Sequence, residues 1–487
     1  MRPRLLIPLL MLLAVALPAA AQDETARFER QLEEIRRQTL LQIDPSIPAG
    51  QRTEFDYGGY VNFSFLAVDD PLQETHILRQ TELAGYARLN IDGVHDFFLR
   101  ARGRYQDFNT GDDFNGNGDD LIGPKIDRAY YTFDFGNAVA AYEGRDAAVD
   151  FSVTAGRQLV HWVNGLTLSR EIDGATGVVE VGRLSLTGVG GVTRKDSFDI
   201  DPFRPDFDDD TRRGFFGAMA AYQLTPKHRP FVYGLIQRDY NDSDPQAITI
   251  GETELDAEFE YDSHYIGAGS TGHLSDQLLY AVEVVYEGGE GRSSRVGFDS
   301  DGAPLLPLLE QTDESIEAWA LDARFDYLFH DDNHTRGIFE VVLASGDSDR
   351  SLHSSSVIGG NRSGTGDRSF NGFGLVQTGL AFFPSVSNIV LVRGGVATMP
   401  FPDSVHFRRF QVGADAIVTH KFDSDAPINE PTNDSSYLGT ELDVFANWQI
   451  HSDVSVVLRY GVFFPGEAVA TDHDERHFLF TGVTYAF

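Results

Sequence analysis

The chain has 487 residues, a formal net charge of −35 and no cysteine. The lack of cysteine excludes disulfide bonds, thiolate metal sites and thiol redox chemistry, and the excess of carboxylates makes nucleic acid a poor partner. Forty-eight glycines, 36 phenylalanines and 18 tyrosines favour a protein of many turns and two-faced strands over a helical one.

Residues 1–21 have the pattern of a cleavable secretory signal peptide. Arg2 and Arg4 precede an apolar run that ends at Leu17, and small residues follow to Ala21, where cleavage is expected. The run is shorter than the roughly 18 residues that a membrane-spanning helix needs, and no other stretch approaches that length. If the mature protein crosses a membrane, it is therefore expected to cross as strands.

Residues 22–52 are predicted to form a periplasmic helical segment and a linker. Phe28, Leu32, Ile35 and Thr39 recur at spacings of three and four residues, which is the period of one helix face. A helix here could dock on a barrel, plug it, stay free of it or pair as a short coiled coil, and the sequence leaves these alternatives open.

Residues 53–487 repeat one theme, a stretch of alternating apolar and polar residues followed by a turn. In residues 95–106, Phe97 and Leu99 share one face, whereas Arg100, Arg102 and Arg104 share the other. One face of such a strand suits lipid and the other a wet lumen. The fold class predicted is all-β, a transmembrane antiparallel β-barrel of about 18 strands.

Short turns alternate with long acidic or glycine-rich loops, as in outer-membrane barrels, where the short turns are periplasmic. Short turns are predicted near residues 92–93, 226–227, 275–276, 331–333 and 451–453, and long loops at 107–123, 195–211, 241–257, 288–313, 346–370, 419–437 and 465–474. Two regions stay ambiguous. Residues 175–192 fit one strand or a hairpin, and the strand count does not close between Phe382 and Phe422.

The C-terminal strand provides an independent indication of location. Leu479, Val483, Tyr485 and the final Phe487 share one face. This strand resembles the aromatic C-terminal signal that outer-membrane barrels present to the barrel assembly machinery. We therefore expect an outer-membrane protein whose partners include outer-membrane lipid and that machinery, although an ordinary edge strand can also end in Phe.

One loop resembles the start of a calcium-binding loop. Oxygen-bearing side chains stand at alternate positions, Asp113, Asn115, Asn117 and Asp119, around the glycines of a tight bend. The glutamate that would complete such a loop is replaced by Pro124, so a plain acidic turn is the competing interpretation. No other cofactor is expected.

No enzymatic motif stands out along the chain. There is no nucleophile elbow, no phosphate-binding loop and no pair of zinc-ligating histidines. The protein is therefore predicted not to be an enzyme, and an outer-membrane hydrolase with a Ser/His pair assembled by the fold is a remote alternative.

Four motifs in the second part of the chain resemble those of the alginate-export family of outer-membrane porins. They are Gly156-Arg157-Gln158, Ile172-Asp173-Gly174, Tyr437-Leu438-Gly439-Thr440-Glu441-Leu442-Asp443 and Tyr460-Gly461-Val462-Phe463-Phe464-Pro465-Gly466. The resemblance implies a lumen whose arginines pass an anionic polysaccharide, alginate or a similar uronate polymer, outward across the membrane. Arg157 is the one arginine carried over from a family motif.

The other candidates for a solute path come from strand alternation, which places a set of arginines on polar faces: Arg88, Arg100, Arg102, Arg104, Arg128, Arg324, Arg393 and Arg459. A guanidinium group holds a carboxylate in a forked geometry, so these side chains suit a polyuronate. The same alternation places carboxylates on polar faces, where they could neutralise the arginines as structural ion pairs: Glu82, Asp96, Asp134, Glu283, Asp322, Asp326, Glu340, Glu441 and Asp443. A general or anion-selective diffusion porin for small solutes is therefore the alternative function.

Overall fold

The computed structural model describes residues 52–110, 112, 118–194, 203, 212–241, 245–250, 253–298, 304–305, 308–470 and 474–487. The predicted signal peptide, and all but the last residue of the predicted helical segment at 22–52, lie outside the described residues.

Eighteen strands among the described residues form one closed antiparallel sheet. They are β1 (Thr53–Asp69), β2 (Thr75–Ile91), β3 (His95–Phe108), β4 (Asp120–Asp134), β5 (Asp150–His161), β6 (Ser169–Val181), β7 (Leu184–Thr193), β8 (Arg213–Tyr222), β9 (His228–Asp239), β12 (Tyr261–His273), β13 (Leu278–Arg292), β16 (Asp313–Leu328), β17 (Arg336–Ala344), β18 (Ile389–Thr398), β19 (Phe410–His420), β20 (Tyr437–Gln449), β21 (Val454–Pro465) and β22 (Arg476–Ala486). Two small hairpins lie in loops, β10 (Gln246–Ile250) with β11 (Thr253–Ala257) and β14 (Gly297–Phe298) with β15 (Pro304–Leu305).

The sheet closes on itself because the first and last strands pair. β1 runs antiparallel to β2 on one side, and on the other side to β22 from Tyr60↔Ala486 to Val68↔Phe478. Because of this closure, every strand of the wall pairs with a neighbour on each side. A membrane barrel requires such closure, since lipid cannot form hydrogen bonds with an unpaired strand edge. The predicted 18-stranded barrel is confirmed.

Alternation of the side chains separates an outer apolar face from an inner polar one. On β13, Val284 and Tyr286 are 46% and 45% exposed on the outside, whereas Glu283 and Glu287 are fully buried inside. The same period of two holds along the predicted strands because successive residues of a strand point to opposite faces. The outer face is the lipid-facing surface.

Short turns lie at one end of the barrel, here called the turn end, and long loops at the other, the loop end. Asp92 (φ 57°) and Gly93 (φ 73°) make the β2–β3 turn, closed by the N–H of Val94 donating to Ile91 O at 3.0 Å. Positive φ at both central residues is the geometry of a type I′ hairpin turn, which Asp-Gly favours. The predicted short turns lie at the turn end and the predicted long loops connect strands at the loop end, but the loop predicted at 346–370 extends over residues 345–388.

The two ambiguous regions are resolved by the structure. Residues 175–192 form the hairpin of β6 and β7, which turns at Gly182. Between Phe382 and Phe422 lie two strands, β18 and β19, so the number of strands is even.

Helix α1 (Phe135–Glu143) follows β4 at the turn end. Asp134, predicted to face a lumen, instead caps this helix, because its carboxylate accepts the N–H of Asn137, and Gly144 (φ 67°) ends the helix in a left-handed conformation. Phe135 stacks on Phe151 of β5 with ring centroids 4.7 Å apart. No helix of the described residues is long and apolar enough to cross a membrane.

Candidate functional site in the barrel lumen

The three arginines of β3 lie on its lumen face. Arg100 and Arg104 are each 5% exposed, whereas Phe97 and Leu99, which alternate with the arginine row, are 44% and 45% exposed on the outer face. A row of like charges along one strand is unfavourable unless nearby opposite charges compensate it. The neighbouring strands supply those charges.

A β-bulge in β4 brings one of the compensating carboxylates into the lumen. Arg100 pairs with Arg128 in the β3–β4 register, but Ala101 pairs with Ile126, so Asp127 is an extra residue. A bulge re-aims side chains, and here Asp127 and Arg128 are both buried. Asp127 forms an ion pair with Arg100 at 2.6 Å and a longer one with Arg102 at 3.4 Å.

Glu82 of β2 provides the second carboxylate. It lies 3.2 Å from Arg104 and 3.8 Å from Arg102, and it accepts a hydrogen bond from the hydroxyl of Tyr60 at 2.7 Å. Three arginines therefore share two carboxylates. Among the described residues, the row is therefore paired, and arginines outnumber the carboxylates that pair with them.

The positive charge continues across the next strands. Arg128 pairs with Glu171 of β6 at 2.6 Å, and Arg194, just after β7, lies 3.4 Å from another oxygen of the same carboxylate. Five arginines thus surround the three carboxylates of Glu82, Asp127 and Glu171. We call these eight residues the arginine cluster.

The remaining predicted luminal arginines are spread around the barrel, each with a partner. Arg88 pairs with Asp96 at 2.7 Å and Arg324 with Asp326 at 3.0 Å. Arg393 pairs with Glu340 on the adjacent strand, and Arg459 donates to Asn447 at 2.8 Å. Their inward placement agrees with the alternation, and their part in a solute path stays a prediction.

Arg157 differs from the others because it shares its face of β5 with Val153 and Ala155, which face outward. The alternation therefore places Arg157 on the outer side of the wall and not in the lumen, where the family motif predicts it. Its guanidinium makes a two-pronged ion pair with Asp173 of β6, at 2.8 and 2.9 Å. The two family-like motifs therefore meet here, since Gly156-Arg157-Gln158 lies directly opposite Ile172-Asp173-Gly174. Gly156 (φ 128°) is required, because a Cβ would lie 2.2 Å from the carbonyl oxygen of Ala129.

Arg157 also bridges a discontinuity in the wall. β4 pairs with β3 up to Asp120, but with β5 only from Asp134 to Ala129, six residue pairs and the shortest ladder between neighbouring wall strands of the described chain. Beyond that point, Arg157 donates to the backbone oxygen of Ile126 on β4 at 2.7 Å. We call this gap, closed by side chains instead of a backbone ladder, the seam.

Replacing Arg157 with methionine is expected to destabilise the barrel by about 1–3 kcal/mol, because Ile126 O loses its charged donor where the β4–β5 ladder has ended and Asp173 loses its ion-pair partner. The midpoint of urea unfolding measures the loss. The control is Arg79→Met, since Arg79 pairs with Asp107 at 3.1 Å where the β2–β3 ladder is complete. Its cost should stay below about 1 kcal/mol. Equal losses in the two variants would show that the seam depends on Arg157 no more than an ordinary surface pair does.

The longest loop at the loop end, residues 345–388 between β17 and β18, folds into the lumen. The N–H of Phe373 donates to Thr167 O at 3.1 Å, and the N–H of Ser169 donates to Phe373 O at 2.9 Å. Thr167 belongs to the β5–β6 loop, eight strands around an 18-stranded wall from β17. The loop therefore crosses the lumen to the opposite side. We call it the crossing loop.

Side chains of the wall hold the crossing loop by its backbone. Both oxygens of Glu441 on β20 accept N–H groups, those of Leu380 (2.6 Å), Ala381 (2.7 Å) and Phe382 (2.9 Å). Glu287 on β13 accepts the N–H of Asn371 at 2.7 Å. Buried backbone groups need such partners, so these carboxylates act as anchors of the loop.

Two apolar clusters inside the barrel enclose the crossing loop. One contains Phe370 and Phe373 together with Trp162 and Leu168 of the β5–β6 loop. The other contains Leu380 and Phe382, and Phe382 stacks on Phe463 of β21 at 4.2 Å. The loop is thus packed at two places, which makes it a fixed partition of the lumen.

Charges within the crossing loop stabilise its own turns. Arg350 and Asp367 form a buried two-pronged ion pair, at 3.0 and 2.5 Å. Burial raises the pKa of the Asp347 carboxyl, although the N–H groups of Asp349 and Arg368 donate to it and oppose that shift. These groups serve the conformation of the loop, and none of them is predicted by the sequence pattern.

The lumen is electrically asymmetric. The arginine cluster occupies β2–β7, whereas the wall formed by β13, β16, β17 and β20 presents buried carboxylates: Glu283, Glu287, Asp322, Glu340, Glu441 and Asp443. Several of these carboxylates are engaged with the loops, as Glu283 is with the N–H of Asn164 at 3.0 Å. The side of the lumen that carries the arginine cluster is therefore the side that attracts an anion.

The predicted calcium loop falls mostly outside the described residues. Asp113, Asn115 and Asn117 are not described, and Asp119 accepts the N–H of Phe108 at 2.7 Å. Among the residues that are described, no group of three or more histidines and carboxylates is arranged to hold a metal ion. Calcium binding at this loop stays a prediction.

The sequence and the fold were compared with those of known proteins. A family model described as alginate export matches residues 129–480. Solved structures of outer-membrane porins share the fold: OccK5 of Pseudomonas aeruginosa (TM-score 0.52, 10% identity, 89% of this chain and 98% of that one) and OccAB3 of Acinetobacter baumannii (0.52, 11%, 89% and 99%). OccAB2 of Acinetobacter baumannii is similar as well (0.51, 10%, 89% and 98%). No curated protein matches this sequence.

Proposed function

Because this chain belongs to the alginate export family, we propose that its barrel exports an anionic polysaccharide, a polyuronate of the alginate kind, across the outer membrane. The chain is an outer-membrane β-barrel pore, and its turn end is the periplasmic end. The observation that carries the proposal is the arginine cluster, which gathers five guanidinium groups on one side of the lumen in a chain of net charge −35, with three carboxylates of the described residues among them.

The asymmetric lumen supports passage of an extended polyanion. A uronate chain would be drawn to the arginine cluster, so it would stay on that side of the crossing loop. Guanidinium groups that already share carboxylates bind a passing carboxylate weakly. Several weak sites in series let a polymer enter and leave, as conduction demands.

A diffusion porin for small solutes is the second candidate. Two observations favour it: the fold is shared with the Occ porins, and each predicted arginine already has a protein partner. Such a lumen would select small anions by the same asymmetry without engaging a polymer.

Single-channel recording in a planar bilayer distinguishes the two functions. We expect an anion-selective current that polyuronate, added on the periplasmic side, blocks at submillimolar uronate, whereas dextran of the same length does not block it. A polymer that binds several weak sites at once gains avidity, which is why block should need a chain and fail with the monomer. A stable current indifferent to polyuronate would support the diffusion porin and contradict export.

The C-terminal strand is proposed to be the signal for the barrel assembly machinery. Tyr485 and Phe487 are exposed on the outer face of β22, and the carbonyl of Phe487 accepts the N–H of Gly59 at the β1–β22 closure. Assembly factors would bind these exposed aromatic side chains at the end of β22, the strand that closes the barrel against β1.

A further inference from the structure

The connection between β18 and β19, residues 399–409, is unlike the other turns at the periplasmic end. It has eleven residues, whereas the hairpin turns at that end have two to seven, apart from the connection that contains α1. Its Val405 is 82% exposed and its Phe401 50% exposed. Large apolar side chains presented this openly usually mark an interaction surface.

The connection lies against the lipid-facing side of the wall. Phe410 and Trp448 are opposite each other in the β19–β20 register and share their face with Val444, which is exposed on the outside. Phe407 stacks on Trp448 at 4.8 Å, and the Trp448 indole N–H donates to His406 O at 3.1 Å. The loop is therefore fixed to the outer face and continues the surface that meets lipid.

Two basic residues end the connection. Arg408 and Arg409 are exposed, and neither guanidinium forms an ion pair within the described part of the chain. Apolar and aromatic side chains beside unpaired arginines are the composition of a segment that lies in a membrane interface, with the rings among acyl chains and the cations at phosphates.

We infer that residues 399–409 form a foot on the periplasmic leaflet of the outer membrane, where Phe401 and Val405 enter the bilayer and Arg408 and Arg409 bind an anionic phospholipid head group. The ligand class is a phospholipid with a net negative charge. A periplasmic protein is the competing occupant, but the foot is continuous with the lipid-facing wall and is held flat against it. This site is independent of the solute that the pore carries.

Native mass spectrometry of the full-length protein in detergent, titrated with phosphatidylglycerol or phosphatidylcholine of equal acyl chains, tests the foot. Wild type is expected to bind phosphatidylglycerol more tightly, and Arg408→Gln/Arg409→Gln to weaken that binding about twenty-five-fold, since each cation near an anionic surface contributes about a factor of five. Arg145→Gln/Arg183→Gln removes two exposed arginines from other turns of the same end and should leave binding unchanged.

A second variant separates insertion from head-group binding. Phe401→Ser/Val405→Ser should weaken binding of both lipids while leaving the preference for phosphatidylglycerol, and heat-modified migration in electrophoresis checks that each barrel is folded. Equal affinity of the wild type for the two lipids, or an equal loss in the control variant, would overturn the inference and leave the exposed patch to a protein partner.

Discussion

Replacing Glu441 with alanine should raise the single-channel conductance roughly twofold or more and make the current noisy, because the crossing loop loses its anchor. The carboxylate of Glu441 accepts three backbone N–H groups of the loop. Each buried donor left without an acceptor costs about 1–3 kcal/mol. The stability of the anchored loop conformation, relative to a detached one, should therefore fall by ~3 kcal/mol or more, so that this part of the loop is detached for much of the time.

Two variants make that result specific. Glu441→Gln keeps an acceptor oxygen where the N–H groups of Leu380 and Ala381 converge, so its conductance should lie between those of wild type and Glu441→Ala. Asp96→Asn removes a wall carboxylate that pairs with Arg88 and should change conductance little. If Glu441→Ala folds and conducts like wild type, the crossing loop is held by its apolar packing alone, and Glu441 is not its anchor.

The wall of this barrel can be predicted from the sequence because its pattern is local. A strand between lipid and a wet lumen must alternate, so residues 95–106 alone indicate that Phe97 faces lipid and that Arg100 faces inward. The short turn at Asp92 and Gly93 is equally local. A type I′ turn needs two successive residues in the left-handed conformation, and an Asp-Gly pair adopts it readily.

The partners of the arginines cannot be predicted in the same way. Strict alternation assigns Asp127 and Arg128 to opposite faces, and only the bulge against Arg100 and Ala101 turns both into the lumen. The pairing of Arg128 with Glu171 depends on how β4 and β6 approach across the seam. A phase count finds which residues face inward on a regular strand, but the register between strands decides which charges meet.

The crossing loop is also beyond a local pattern. The sequence predicts a loop over 346–370, whereas the loop runs from 345 to 388, because the apolar stretch around Phe382 resembles a strand but packs inside the barrel against Phe463. An apolar run that is buried by tertiary contacts and one that faces lipid look alike in a sequence. This similarity is why the strand count does not close between Phe382 and Phe422 from the sequence alone.

Neutralising the arginine row of β3 is expected to shift selectivity toward cations, but only in a variant that also removes the carboxylates it holds. Arg100→Gln/Arg102→Gln/Arg104→Gln alone leaves Glu82 and Asp127 buried without most of their partners, and removing one side of a buried ion pair costs about 3–5 kcal/mol. We therefore expect this triple variant to fold poorly and to show little heat-modified migration in electrophoresis. Its conductance would then not test the role of the arginine row.

Adding Glu82→Gln and Asp127→Asn restores polar pairing in a neutral wall and should restore folding. That variant removes one net positive charge from the lumen. A charge a few ångströms from the path changes the free energy of a passing anion and of a passing cation by about 1 kcal/mol each in water, in opposite directions, so the anion-to-cation permeability ratio should fall by at least about fivefold. Block by polyuronate should weaken at least as much, because the polymer meets the row with several carboxylates. Reversal potentials in a salt gradient give the ratio. A folded variant with unchanged selectivity and unchanged block would mean that the row only braces the wall and that solute passes elsewhere, leaving Arg88, Arg324 and Arg459 as the arginines to test next.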